Sequence, residues 1–384
     1  MHWRTKLIQA EPKSTDGFRS LTTPTYRGST VVFDSHTQLT DDWHEAQLGY
    51  TYGLYGTPTT RELAARIADL EGAFHTFIVS GGQAAIALIY LAFCNAGSHV
   101  LLPWNAYGPS KDLSEGLLSR LNIQVERYDP LIGSGISALI RPETSLIWCE
   151  SPGSITMEIQ DLPAIVAAAH ARNVPVALDN TYSAGVLLDA FSFGVDVSMQ
   201  ALTKYVGGHS DLFLGSVSAG NEAAFERLGP IHRQLGMASS PDDASLALRG
   251  LQTMGVRLEA LERSTLAVAE WLTHRLEVAT VLHPAFPSCP GHDLWKRDFT
   301  GSASIFSIVF QPAYTPAQVN AFVDALSLFK IGYSWGGVTS LALPYPSLDR
   351  PGNPVQGRIV RFNIGLEHVE DLIEDLTGAF ATLQ

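Results

Sequence analysis

The sequence predicts an α/β protein built on a mainly parallel sheet, with a smaller α/β unit at the C-terminal end. Three observations predict it. Short apolar runs of strand length alternate with helical stretches from residue 59 to about 220. A helical pattern of unusual length then breaks the alternation, and two further strand-and-helix pairs fill the remainder. Strands apolar on both faces and separated by helices point to βαβ units, whose parallel sheet is covered on both sides. At 384 residues the chain exceeds the size at which a single core usually stops growing, so two structural domains are expected.

Taken in order, residues 1–58 show no strong periodicity and one short apolar run, "STVVFDS" (Ser29–Ser35), which is the pattern of an extended arm. The arm runs into "YTYGLYGTPTT" (Tyr50–Thr60), which carries three tyrosines and no charge before Arg61. It is too rich in Gly and Pro for a helix interior or a central strand. A helix is expected from Thr59: Thr59 and Glu62 have capping-box spacing, Leu63, Ile67 and Leu70 share a face, and Gly72 follows the end. Strands are then expected in "HVLLP", "SLIWCES", "PVALDN", "DVSMQAL" and "GSVSAG", with helices at Ala84–Asn95, Tyr107–Leu121 and Leu162–Arg172. The long pattern covers Asp243–Glu277. Beyond it lie strands "ASIFSIVF" and "GRIVRFNIG" and helices Pro316–Phe329 and Glu367–Leu383. The expected division is an arm over 1–58, a large domain over 59–245 and a C-terminal domain over 246–384.

Composition narrows the function. Hydrophobic residues make up 46% and charged residues 16%, which suits a well-buried protein that hides further surface in an oligomer. A net charge of −13 with no basic run argues against nucleic acid as a partner, since nothing offsets phosphate repulsion. No apolar stretch reaches the length of about 18 residues needed to span a membrane, and the N-terminus lacks a signal-peptide core. Cys94, Cys149 and Cys289 are far apart in apolar settings, which is neither a disulfide framework nor metal-ligand spacing. Buried free thiols in a reducing cytoplasm are expected.

Three features fall at the carboxyl ends of predicted parallel strands, where ligands bind in such sheets. "SGGQAAIALIY" is a glycine turn opening into a helix, so the backbone N–H groups of Gly81, Gly82 and Gln83 can hold an anion such as a phosphate. A Gly pair before a helix also serves as a simple turn. "VALDNTYSAG" ends an apolar strand on Asp179, which either caps the next turn or meets a cation. "SMQALTKYVGGHSD" places Lys204 after another strand, where a desolvated amine becomes nucleophilic. Together the three match what pyridoxal 5′-phosphate needs: a lysine for the aldehyde, an acid for the ring nitrogen and amides for the phosphate.

With these motifs the chain resembles the Cys/Met-metabolism class of fold type I pyridoxal-phosphate enzymes, and within it the cystathionine β-lyases. The resemblance rests on "VVFDS", "YDPLIGSGI", "ESPGSITMEIQDLPAIVAA", "LDNTYSAGVL", "TKYVGGHSD", "RGLQTMGVRL", "GHDLWKRDFTG", "YSWGG" and "IGLEHVEDLIEDL". It implies a seven-stranded sheet in the large domain. It implies that Lys204 carries the cofactor and moves the Cα proton, that Asp179 pairs with the ring nitrogen and that Tyr107 stacks on the ring. Gly81, Gly82 and Thr203 would hold the phosphate. Arg361 would bind the substrate carboxylate, with Ser334 and Trp335 beside it; the γ-lyases and γ-synthases of the class usually have leucine where Trp335 stands. The implied reaction is β-elimination on a β-substituted alanine. For cystathionine the products are homocysteine, pyruvate and ammonia, on the way to methionine. It also implies a homo-oligomer, a dimer of dimers, in which the arm reaches a neighbour's site and delivers Tyr52.

Three positions depart from the pattern. Leu54 stands where the family has an arginine, His232 and Arg233 lie near a position that can hold a tyrosine, and Ala201 replaces a serine. These changes leave eliminating chemistry intact and touch the group leaving from Cβ. A sister lyase for a cysteine S-conjugate, cystine or an N-linked amino acid such as mimosine is therefore the alternative. A γ-lyase or γ-synthase, or a non-catalytic cofactor-binding regulator, fits less well.

Overall fold

Seven strands form the larger sheet: β1 (His75–Val79), β2 (His99–Pro103), β3 (Gln124–Tyr128), β4 (Thr144–Glu150), β5 (Val176–Asp179), β6 (Val197–Gln200) and β7 (Gly215–Ala219). Their order is β1-β7-β6-β5-β4-β2-β3. Only β7 runs against the rest, pairing antiparallel with both β1 and β6. The mainly parallel, seven-stranded expectation is met. The computed structural model describes residues 2–8, 20–39, 49–348, 350, 355 and 357–383.

The helices are α1 (Trp3–Ile8), α2 (Pro58–Glu71), α3 (Gly82–Phe93), α4 (Gly108–Leu113), α5 (Leu162–His170), α6 (Glu222–Gln234), α7 (Pro241–Thr273), α8 (His292–Asp298), α9 (Pro316–Asp324) and α10 (Val369–Ala381). One face of the sheet is covered by α3 and α6, with Phe77, Ile86, Trp148, Val217 and Phe225 in one core. On the other face α2, α5 and α7 bury Leu63, Ile67, Ile165, Leu251 and Leu258. Trp148 is fully buried and stacks on Tyr90 at 5.2 Å. Each large apolar side chain removed from water in this way contributes about 1.5–3 kcal/mol.

After α7, strands β8 (Val278–Leu282), β9 (Ile305–Phe310), β10 (Lys330–Ile331), β11 (Leu341–Tyr345) and β12 (Ile359–Asn363) form a second sheet in the order β10-β11-β12-β9-β8. Only the β10–β11 pair is parallel. This sheet shares a core with α9, α10 and the C-terminal half of α7 through Phe306, Phe322, Phe362 and Phe380.

The start of α2 corrects the sequence reading. Thr57, not Thr59, is the cap; its hydroxyl accepts the Thr60 amide, and the Thr60 hydroxyl accepts the Thr57 amide at 2.8 Å. Pro58 explains the shift, because its fixed φ and missing N–H suit the first helical position. Thr59 instead ties the arm to the helix: its hydroxyl donates to Pro24 O and accepts from Tyr26 N, each at 2.8 Å. Helix α9 ends at Asp324, short of the expected Phe329, where the chain turns and Asp375 accepts the amides of Ser327 and Leu328. The arm contains a short helix, α1, that the sequence did not suggest. Its "STVVFDS" run makes one bridge, Thr30 to Tyr52. Cys94, Cys149 and Cys289 are free and buried, and no helix among the described residues is long and apolar enough to cross a membrane.

Candidate active site

A cleft of about 270 Å³ opens at the carboxyl ends of β4, β5 and β6. It is lined by Gly81, Gly82, Gln83, Tyr107, Asp179, Thr203, Lys204 and Trp335 among others, so most of the residues singled out from the sequence converge here. Each arrives for a local reason. Gly81 and Gly82 begin α3, and a Cβ on Gly82 would stand 2.8 Å from the Ala201 Cβ. The small pair Gly82 and Ala201 thus lets the helix start approach the chain after β6. Gln83 Nε2 donates to Pro109 O at 3.0 Å, joining that helix start to the Tyr107 loop. Helix α3 points its free amides and positive dipole end into the cleft.

Asp179 ends β5. Its Oδ1 accepts the Thr181 amide at 3.0 Å and the Thr181 hydroxyl, and that hydroxyl in turn accepts the Ala201 amide at 2.9 Å. Burial raises the Asp179 pKa above the ordinary carboxyl value; the two Thr181 hydrogen bonds and the Lys204 charge oppose the shift. Lys204 sits in the turn after β6, half-buried. Burial first, then the nearby Arg361, lower its pKa to about 8, while Asp179 pulls the other way. Its Nζ donates to Ser334 Oγ at 2.7 Å and lies 5.4 Å from the Trp335 ring. Ser334 has φ +92°, a region costly for a side chain and found mostly where surrounding structure imposes it. Packing of Gly336 on the Lys204 backbone, where a Cβ would stand 3.2 Å away, holds the turn there.

Arg361 reaches the site from β12 in the second sheet. It is 7% exposed and makes no ion pair with an acid among the described residues; Nη1 donates to Ser154 O at 3.2 Å, and the guanidinium lies 5.3 Å from the Tyr345 ring. Burial lowers its pKa. A buried guanidinium beside an open cleft is a site for an anion, and its planar fork matches a carboxylate. Tyr107 is 41% exposed, with its ring toward the cleft and its hydroxyl pKa raised by burial and by Asp179.

Tyr52 is not part of this cleft. It lies on the arm, 46% exposed, where it pairs with Thr30 while Gly53 N donates to Ser29 O at 2.7 Å. Leu54 lines a different groove, of about 590 Å³, with Arg61, Phe225 and His232 along the outer side of β1. Reasoning from sequence missed Glu150, Ser154 and Thr181. Glu150 carried a usable signal, an acid closing the apolar run "SLIWCES", the same signal that singled out Asp179.

The donor set fits pyridoxal 5′-phosphate: bare amides at the start of α3, brought close to Ala201 by the absence of a side chain at Gly82, a carboxyl group at a strand end and a depressed lysine amine in one cleft. The family model for Cys/Met metabolism PLP-dependent enzymes matches residues 4–381. A relative named cystathionine β-lyase from Salmonella typhimurium is 40% identical, covering 99% of this chain and 98% of its own. Cystathionine β-lyase MetC of Escherichia coli is 41% identical over 93% of this chain and 92% of its own. The crystal structure of metB from Corynebacterium glutamicum superposes with a TM-score of 0.93 at 28% identity, covering 100% of this chain and 99% of that one. With its fold, its site and its sequence in agreement from end to end, the chain belongs to the Cys/Met-metabolism family of PLP-dependent enzymes, and pyridoxal 5′-phosphate is its cofactor.

Proposed function

We propose that this enzyme is a cystathionine β-lyase, cleaving cystathionine to homocysteine, pyruvate and ammonia. The observation that carries the reading is the proximity of Lys204 and Arg361: an amine whose pKa is lowered to about 8 lies near enough to feel the charge of a buried guanidinium that has no acidic partner among the described residues. The names of the relatives at about 40% identity support the choice of substrate.

The bound cofactor supplies an electron sink for the bond broken at the substrate Cα. This chain's residues do the rest. The N–H groups of Gly81, Gly82 and Gln83, with Thr203, would hold the phosphate; Asp179 would pair with the ring nitrogen and favour its protonated form; Tyr107 would stack on the ring. Arg361 binds the α-carboxylate and thereby orients the Cα–H bond. Lys204, its amine steered by Ser334, would accept that proton. Trp335 closes the wall beside it and limits access of water.

Leu54 favours a second reading, a β-lyase for another amino acid. A leucine offers neither charge nor donor to the far end of cystathionine, if the arm serves a neighbour's site as in the resemblance above. We place the enzyme in the cytoplasm as a homo-oligomer, a dimer of dimers. Pyruvate release from cystathionine, cystine, S-alkylcysteines and mimosine at equal concentration decides between the two readings. The highest kcat/KM on cystathionine supports the first, and a clear preference for another substrate replaces it. Light scattering gives the oligomer: a monomeric active enzyme would remove any role for the arm at a neighbour's site.

A further inference from the structure

Of the two acids lining the cleft, Glu150 has no task in the chemistry above. It ends β4 and is the register partner of Asp179 on the parallel neighbour β5, so both side chains leave the sheet on the same face. It is 6% exposed. An acid that deep is costly unless its oxygens are satisfied, and its surroundings are specific. Oε2 accepts the backbone N–H of Tyr107 at 2.7 Å. Burial pushes its pKa well up, and the nearby Ser154 side chain opposes that rise.

These contacts lead to two different parts of the site. Tyr107 carries the ring at one wall of the cleft. Ser154 presents its carbonyl to Arg361 Nη1 at 3.2 Å, and its amide donates to Asn105 O at 3.1 Å, two residues before Tyr107. A side chain on Gly153 would collide with Asn105, so the turn after β4 and the loop after β2 lie in direct contact. Glu150 is itself held from behind. Its own amide donates to Gln160 Oε1 at 2.8 Å, and Gln160 Nε2 donates to Tyr128 OH at 2.9 Å. A carboxyl group anchored on a strand therefore holds the Tyr107 loop directly and stands against the Ser154 turn, which bonds that loop through Asn105.

We propose that Glu150 is a positioning residue that couples the cofactor-stacking Tyr107 to the carboxylate-binding Arg361, through the Tyr107 amide on one side and Ser154 on the other. The inference rests on the roles given to Tyr107 and Arg361 under the proposed function. Glu150 touches neither the substrate nor the reacting atoms. Its effect is to keep the aromatic wall and the anion fork in a fixed relation. A carboxyl that merely filled space would affect melting temperature and leave both of those readouts alone.

The test uses the holoenzyme and the variants Glu150→Gln, Glu150→Ala and Ser154→Ala. Glycine, an amino acid with a carboxylate and nothing to eliminate, is titrated against the cofactor's visible absorption band, and the band's ellipticity is recorded without ligand. Glu150→Ala is expected to weaken glycine binding about tenfold, the scale of one or two lost hydrogen bonds, and to reduce the ellipticity. Glu150→Gln keeps an acceptor for the Tyr107 amide, and the Ser154 hydroxyl can turn to accept from its amide group. It should stay within about threefold of the parent, well under the loss of a whole hydrogen bond. Ser154→Ala should fall between the two. Unchanged glycine affinity and ellipticity in both alanine variants would overturn the proposal, as would Glu150→Gln falling as far as Glu150→Ala. If Glu150→Ala does not fold, Ser154→Ala decides: weaker glycine binding at an unchanged melting temperature supports coupling, and parental affinity refutes it. Should the parent enzyme fail to release pyruvate from cystathionine, the substrate reading falls while the glycine titration still judges Glu150.

Discussion

Lys204 Nζ donates to Ser334 Oγ at 2.7 Å, so the amine at the centre of the cleft is held by a residue 130 positions further along the chain. The partner that steers the amine sits on a strained turn of the C-terminal part, and the amine sits on a turn of the large sheet. Alignment of one with the other depends on how the two parts pack.

The depressed amine gives a pH prediction. Burial and the Arg361 charge disfavour the ammonium, so Lys204 loses its proton near pH 8, well below an ordinary lysine at about 10.4. The neutral amine is the form that attacks an aldehyde. Capture of pyridoxal phosphate by the apoenzyme should therefore accelerate as pH rises through about 8 and level off above it, measured by stopped-flow absorbance. A rate still climbing in proportion to hydroxide at pH 10 would show an unshifted lysine.

Asp179→Asn keeps the shape of the side chain and an acceptor for the Thr181 amide, yet removes the charge that would pair with the ring nitrogen. The expected result is a fall in kcat of about a hundredfold or more, the scale of removing one preorganised electrostatic partner. Cofactor content per subunit, measured alongside, should stay near that of the parent. Parental kcat in this variant would remove Asp179 from the chemistry.

Arg361 separates charge from geometry. Arg361→Lys retains a cation and loses the planar fork, while Arg361→Ala loses both. Substrate KM should rise in the order parent, lysine, alanine, with the alanine variant losing kcat/KM by two to three orders of magnitude, about 3–4 kcal/mol, as expected for one partner of a buried charged pair. Equal KM values for the two variants would mean that a cation without the planar fork gains nothing at this position, and a lysine variant matching the parent would mean that charge alone suffices.

Glu71 makes a prediction about stability rather than catalysis. It closes α2 fully inside the protein, where Ser198 and Ser218 donate to its two oxygens, and burial raises its pKa despite those hydrogen bonds. A folded pKa above the unfolded one means that the native state holds the proton more tightly. The stabilisation is full below the ordinary glutamate range and is lost as pH rises through the raised folded value. Glu71→Gln cannot ionise, so its melting temperature relative to the parent should climb as pH is raised across that window. A constant difference between the two at every pH would show that folding leaves the Glu71 pKa unshifted.

Much of the site was legible because its chemistry lies at element ends that local patterns mark. Asp179 and Lys204 each follow an apolar run, and Gly81 and Gly82 precede a helix, so strand and helix signals place them without any long-range information. The errors are local conflicts. Thr59 and Glu62 have capping-box spacing, but Pro58 wins the first helical turn and moves the cap to Thr57. Strands β1 and β3 escaped notice because "HTFIV" is a short run ahead of the glycine turn, and "QVERY" carries charge on a partly exposed edge.

The sequence by itself determined the fold class, the family and most of the residue types that line the cleft, because periodicity and motif spacing are properties of neighbours along the chain. Tertiary structure alone decided that Ser334 holds Lys204, that Arg361 is buried without an acidic partner among the described residues, and that Glu150 accepts the Tyr107 amide. Those relations arise where two sheets and their loops pack together. Their distances are fixed by the shape of the cores between them, and no local pattern encodes that shape.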